Sequence, residues 1–141
     1  MKRLPSGILV AAALTLFAPL AVAQILIVTD TRGAIGELSR QQAEQLYLGR
    51  TRSLPDGTPV ALADLPAGSV RDRFYEQLTG KNPSQIRAYW SRMVFTGRAL
   101  PPQQVGNVRE LGALLMTNPN VIGYLPAADA DSRMKVLLEL P

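Results

Sequence analysis

Residues 60–82, Val-Ala-Leu-Ala-Asp-Leu-Pro-Ala-Gly-Ser-Val-Arg-Asp-Arg-Phe-Tyr-Glu-Gln-Leu-Thr-Gly-Lys-Asn, carry the residue types and spacing that point most directly to chemistry. An apolar strand runs into a Pro-Ala-Gly-Ser turn, and a helix opens immediately behind it. A Gly-Ser pair at a helix start aims unpaired backbone N–H groups, the Ser69 hydroxyl and the positive end of the helix dipole at one point. Arg71 and Arg73 fall in the first helical turn, where the dipole alone favours acids. The combination points to an anion held by Gly68, Ser69, Val70 and Arg71. The competing reading is a plain helix cap at Ser69 and a surface charge at Arg71.

Other residues offer less. Thr29 and Asp30 end an apolar strand, where an aspartate can orient a protonated oxyanion or simply cap a turn. Asp64, Asp129 and Asp131 show no spacing that makes an acid–base carboxylate pair or a calcium loop. Tyr89 and Trp90 share a helical apolar stripe, which reads as core before it reads as a stacking platform. The chain has no Cys and no His. That excludes disulfides, the usual zinc sites, Cys or Ser–His nucleophiles and histidine acid–base chemistry. No cofactor is expected.

The N-terminus has the pattern of a secretory signal peptide: Lys2 and Arg3, an apolar run from Ile8 to Leu20, then Ala21-Val22-Ala23 as a cleavage site. The run is too short for a stable membrane anchor, and no Cys follows for lipid attachment. The mature chain is expected to start at Gln24 and to work in the periplasm. Removing residues 1–23 takes two of the 15 basic residues and none of the 11 acidic ones, leaving a net charge of +2. The precursor's high isoelectric point is therefore no argument for nucleic-acid binding. Residues 24–141 suffice for one core and one domain.

The elements that must position the anion loop alternate between strand and helix. Ile25–Asp30 is a continuous apolar run, the pattern of a strand covered on both faces as in a parallel α/β sheet. Ser39 and Gln42 form a capping box for a helix that buries Ala43, Leu46 and Tyr47 and closes at Gly49. A strand at Val60–Leu62 precedes the helix behind Ser69, which buries Phe74 and Leu78 and stops at Gly80. Asn82-Pro83-Ser84-Gln85 starts a third helix with the stripe Ile86, Tyr89, Trp90, Met93 and Val94. Asn107 and Glu110 frame a fourth, whose apolar face is Leu111, Leu114 and Leu115. Val121–Leu125 and Lys135–Leu140 read as closing strands. The sum is a single α/β layered domain.

Three segments carry a family resemblance. Leu38-Ser-Arg-Gln-Gln-Ala-Glu-Gln-Leu-Tyr-Leu-Gly-Arg50 resembles the "LSxEQLxxIFxGK" segment of phosphate-binding proteins of bacterial ABC transporters. Asn118-Pro-Asn-Val-Ile-Gly-Tyr-Leu125 resembles their "xNPGAIGYV" segment. Tyr89-Trp-Ser-Arg-Met-Val-Phe-Thr-Gly97 is similar to short, single-lobe members of that group. The match spans nearly the whole mature chain and keeps the segment order.

The resemblance implies a type 2 periplasmic-binding-protein-like fold of which only one lobe is present, with a mixed, mostly parallel sheet flanked by helices. Complete members clamp ligand between two lobes by hinge closure. Their anion loop reads roughly "R-x-x-G-S-G-T". Gly68 and Ser69 match its Gly-Ser, whereas Val70, Arg71 and Leu65 stand where Gly, Thr and the charged Arg would be. Three or four charged hydrogen bonds contribute about 5–12 kcal/mol gross. Immobilising the ligand costs about 4 kcal/mol or more, and micromolar affinity needs about 8 kcal/mol net. A lone half-cleft is thus expected to bind phosphate or a related oxyanion weakly, unless a second copy or a partner closes over it. The implied partner is an ABC transporter. The alternative is a periplasmic interaction module that kept the lobe and lost tight ligand binding.

Overall fold

Six consecutive buried residues make up β1 (Ile25–Asp30), and the reason lies in what covers them. The computed structural model describes residues 24–141; the expected signal peptide at 1–23 lies outside the described residues. β1 sits inside a five-stranded sheet of order β3-β2-β4-β1-β5, where β2 is Ala61–Asp64, β3 Gln103–Gln104, β4 Val121–Pro126 and β5 Met134–Leu140. β2 is parallel to both β3 and β4, while β1 is antiparallel to β4 and to β5. Four strands therefore run one way and β1 alone runs back. The expected burial on both faces is present, but β1 is the reversed strand of the sheet rather than one of its parallel members.

Four helices cover the faces. α1 (Arg40–Tyr47) opens on the Ser39–Gln42 capping box, with both reciprocal hydrogen bonds made, and buries Ala43, Leu46 and Tyr47. α3 (Pro83–Phe95) opens on a second box, Asn82 with Gln85, and has Pro83 at its first position. α4 (Val108–Thr117) is capped by Asn107, whose side chain accepts from the Glu110 amide. Here the expected box is only half made, because the Glu110 carboxylate accepts from the Gly106 amide instead. α2 (Ser69–Thr79) ends at Gly80, which takes the left-handed conformation that favours glycine (φ 73°).

β4 shows how the two layers are held. Successive strand residues point to opposite faces. The Tyr124 ring stacks on Phe74 of α2, with centroids 3.6 Å apart and planes 3° from parallel. On the other face, a Cβ at Gly123 would run into the Leu111 side chain, so glycine lets α4 lie close to the sheet. Tyr47 packs edge-on against Phe74, Tyr75 and Tyr124, and its hydroxyl donates to the carbonyls of Ala63 and Ile122. This aromatic cluster seats α1 and α2 on the sheet beside the strand that leads into the Gly68-Ser69 turn.

Of the expected α3 stripe, Ile86 and Trp90 are buried, and Tyr89 and Met93 pack partly against the core. Val94 is half-exposed. β3 has no signal in the sequence, because two polar residues carry no periodicity.

Candidate functional site

The geometry of the candidate site follows from where β2 ends. Asp64 is its last residue, and α2 starts five positions later, so both lie at the C-terminal edge of the parallel strands. This edge is where open α/β sheets place their ligand crevices. Gly68 precedes α2 in an extended conformation and has no side chain to cap the helix. The first α2 amide with a helical acceptor is that of Asp72, which donates to the Gly68 carbonyl at 3.0 Å. The amides of Ser69, Val70 and Arg71 precede it and have no acceptor among the described residues. α1, α3 and α4 each receive a side-chain cap at this position.

Gly68, Ser69 and Val70 line a shallow hollow of about 330 Å³ together with Leu65, Pro66, Ala67, Asn107 and Val108. The start of α4 thus forms the opposite wall. Ser69 is exposed, with its hydroxyl available at the surface. Asp72, an acid in the same turn, partly offsets the positive end of the helix.

Arg71 turns away from this hollow. Its Nε donates to Asp64 at 3.2 Å, and its guanidinium lies over the Tyr75 ring, 5.0 Å from the centroid. Asp64 is buried and also accepts from the Tyr75 hydroxyl at 2.8 Å and from the Tyr124 hydroxyl. The Tyr124 oxygen in turn accepts from the Leu65 amide at 3.2 Å, which ties the carboxylate cluster to the start of the loop. Burial, and then the Asp64 charge, push both tyrosine hydroxyls well above the usual tyrosine range, so they remain donors at physiological pH. Burial works against the Arg71 cation, but the Asp64 carboxylate beside it prevails and raises its pKa. Arg71 therefore lines a second, larger cleft of about 800 Å³ beside Asp64, Arg87, Trp90 and Gln104.

Thr29 and Asp30 lie elsewhere. Because β1 runs antiparallel to β4, Thr29 pairs with Ile122, which also pairs with Leu62 near the start of β2. The pair is thus at the edge where β2 begins, about 7 Å (Thr29) and 10 Å (Asp30) along the strand direction from Asp64 at about 3.3 Å per residue. The Thr29 hydroxyl is buried and donates to the Val121 carbonyl at 2.7 Å. Asp30 accepts from the Arg32 backbone and side chain, the shortest contact being 2.6 Å, and Arg32 also donates to the Met116 carbonyl. These hydrogen bonds, the Arg32 side chain's foremost, lower the Asp30 pKa to about 2. The structure brings Gly68, Ser69 and Val70 together, with Arg71 behind them and Thr29 and Asp30 at the far end of the sheet.

Sequence reasoning weighed Asp64 only as an acid–base group or calcium ligand and set it aside, and it did not single out Tyr75 or Tyr124. Tyr75 follows Phe74 on the helix face that meets the sheet, but Tyr124 reaches Asp64 from 60 positions away. Only the family segment around Ile122-Gly123-Tyr124 pointed toward it.

No family model and no curated protein matches the sequence. Solved structures do match its fold. A phosphate transport receptor of the ABC type from Vibrio cholerae superposes with a TM-score of 0.62 at 16% identity, covering 82% of this chain and 46% of the receptor. A putative phosphate ABC transporter substrate-binding protein from Clostridium perfringens, solved with bound phosphate, gives 0.63 at 19% identity, covering 82% and 45%. PstS from Borrelia burgdorferi gives 0.60 at 11% identity, covering 82% and 47%. At these identities the likeness is one of fold. The chain has a periplasmic-binding-protein-like fold of mixed, mostly parallel α/β type, and it spans a little under half the length of the receptors it matches. Among the described residues no helix is long and apolar enough to cross a membrane.

Proposed function

We propose that residues 24–141 form an exported, periplasmic oxyanion-binding module, with phosphate or a close relative as ligand and an ABC transporter as its destination. The observation that carries this reading is the start of α2. Three successive amides and the Ser69 hydroxyl meet at an uncapped helix terminus, which is the arrangement that holds phosphate on other helix termini. The fold likeness to phosphate-binding receptors supports the same assignment. Gly68 and Ser69 supply the close backbone approach and the hydroxyl. Val70 and Arg71 contribute amides, while the Arg71 side chain stays on Asp64, turned away from the hollow.

Three charged hydrogen bonds give about 5–9 kcal/mol gross, of which about 4 or more is lost to immobilising the ligand. The expected dissociation constant is therefore about 1 mM, near 4 kcal/mol. Calorimetric titration of the 24–141 protein with phosphate tests this directly. A Ser69→Pro variant removes the amide and the hydroxyl together at a helix position that tolerates proline. Saturable heat that disappears in this variant supports the assignment. Heat that is absent, or unchanged by the substitution, refutes it.

A further inference from the structure

One carboxylate holds both ends of the loop between β2 and α2. Asp64 closes β2 and is buried, and its two oxygens serve different partners. Oδ1 accepts from the Tyr124 hydroxyl, whose oxygen accepts in turn from the Leu65 amide at 3.2 Å. The loop is thereby fixed where it leaves the strand. Oδ2 accepts from the Tyr75 hydroxyl at 2.8 Å and from Arg71 Nε at 3.2 Å, both on α2. The loop is thereby fixed where it enters the helix. The Asp64 carbonyl accepts from the Val105 amide at 2.9 Å, three residues before α4 starts. One residue therefore ties together both walls of the hollow lined by Gly68, Ser69 and Val70, yet Asp64 itself does not line it.

The need for such a device follows from what the start of α2 lacks. α1, α3 and α4 each set their first turn with a cap from Ser39, Asn82 or Asn107, which occupies an amide with a side chain. α2 has Gly68 there and no side-chain cap. A first turn whose amides must stay open for a ligand cannot be ordered by filling them. Anchoring it from the rear, through the strands beneath it, orders the turn and leaves its donors free. A buried carboxylate is a costly anchor for stability alone, since desolvation offsets most of what its ion pair returns. It is well suited to fixing one geometry, because two tyrosine hydroxyls and a guanidinium must all meet the same two oxygens.

We propose that Asp64 is the positioning residue of the oxyanion site and that it acts through Tyr124 and Tyr75. It holds the amides of Ser69, Val70 and Arg71 in the arrangement that receives the ligand, without touching the ligand. This role presupposes the oxyanion site at the α2 start. Removing the Tyr124 hydroxyl keeps the ring that stacks on Phe74 and frees only the Leu65 end of the loop. Removing the Tyr75 hydroxyl leaves Arg71 on Oδ2 and loosens the helix end less. Tyr89 donates its hydroxyl to the Leu48 carbonyl at 2.5 Å, linking α3 to the end of α1, and lines no part of the hollow.

Phosphate titrated at constant ionic strength into isotope-labelled 24–141 protein, followed at the Ser69 amide, tests the role in Tyr124→Phe, Tyr75→Phe and Tyr89→Phe. In Tyr124→Phe the midpoint is expected to rise by about three- to tenfold, because losing one buried hydrogen bond lowers the population of loops ready to bind. In Tyr75→Phe the expected rise is about threefold. Tyr89→Phe is the control: it loses a hydroxyl of the same kind, so its urea midpoint falls too, but its phosphate midpoint is expected to match the parent. Hydrogen exchange at the Leu65 amide is expected to quicken in Tyr124→Phe and not in Tyr89→Phe. Should Tyr124→Phe fail to fold, as judged by circular dichroism, the Tyr75→Phe midpoint decides alone. Parent-like midpoints in the two cluster variants, or an equal rise in Tyr89→Phe, overturn the positioning role and leave the site standing. A parent whose Ser69 amide ignores phosphate refutes the site, and the positioning role falls with it.

Discussion

Two aspartates end two strands of this sheet, and each pairs with an arginine, yet the two pairs do different things. Asp30 ends β1 and is held by Arg32, two residues on, whose guanidinium also reaches the Met116 carbonyl at the end of α4. Everything in that pair is local or structural, and the side chain of Arg32 lies mostly in solvent. Asp64 ends β2 and is held by Arg71, Tyr75 and Tyr124 from two different elements, beside two open concavities. Strand direction explains the contrast. The reversed β1 sends Asp30 to the edge where the parallel strands begin, and β2 sends Asp64 to the edge where they end and helices start. Equal residue types thus close one end of the molecule and, at the other, stand beside two open concavities.

The largest expected effect breaks the second pair. Asp64→Ala leaves two buried tyrosine hydroxyls and Arg71 without their acceptor, and it is expected to cost about 3 kcal/mol or more in urea unfolding. A loss below about 1 kcal/mol would mean that the cluster is not the anchor of α2 described above. At the other edge, Thr29→Val keeps the shape but removes the buried donor to the Val121 carbonyl, with an expected loss of about 1–2 kcal/mol. Both variants should retain the helix and strand content of the parent, as judged by far-ultraviolet circular dichroism.

The Asp30–Arg32 pair should show in the pH dependence. Its folded pKa of about 2 lies below the ordinary 3.8, so its contribution to folding is complete above pH 3.8 and is lost as pH falls through about 2. Asp30→Asn is expected to lower the neutral-pH midpoint and to flatten the profile below pH 3.8, the variant and the parent converging as pH falls through about 2. An unaltered acid limb would remove Asp30 from the account. The smallest stability effect is expected at the proposed site itself. Ser69→Pro should leave the urea midpoint nearly unchanged while abolishing the response to phosphate.

Much of this contrast was legible from local chemistry. The Ser39–Gln42 and Asn82–Gln85 boxes, the glycine stops and the unbroken apolarity of β1 are all short-range signals, and the structure contains each of them. Strand direction is not a local property. Apolarity on both faces reports that β1 is covered, and it is equally compatible with either orientation, so Thr29 and Asp30 were read toward the wrong edge. Asp64 was hidden for a related reason. Its hydroxyl partners sit on different elements, and its spacing from the other aspartates makes no carboxylate pair or calcium loop. The turn at Gly68-Ser69 was visible because its meaning depends only on a helix following it. The exposed Phe95 continues an apolar stripe by type, and only the folded chain shows that the stripe runs past the edge of the core.

The central claim is that the edge bearing Asp64 receives an oxyanion at the first turn of α2, and amide chemical shifts measure it most directly. Phosphate titrated into isotope-labelled 24–141 protein should move the amide resonances of Ser69, Val70 and Arg71 together and saturably, with a midpoint of about 1 mM. Those of Thr29 and Asp30 at the opposite edge should stay in place. Resonances at the start of α2 that do not respond at tenfold higher phosphate, or a response centred on Thr29 and Asp30, would contradict it.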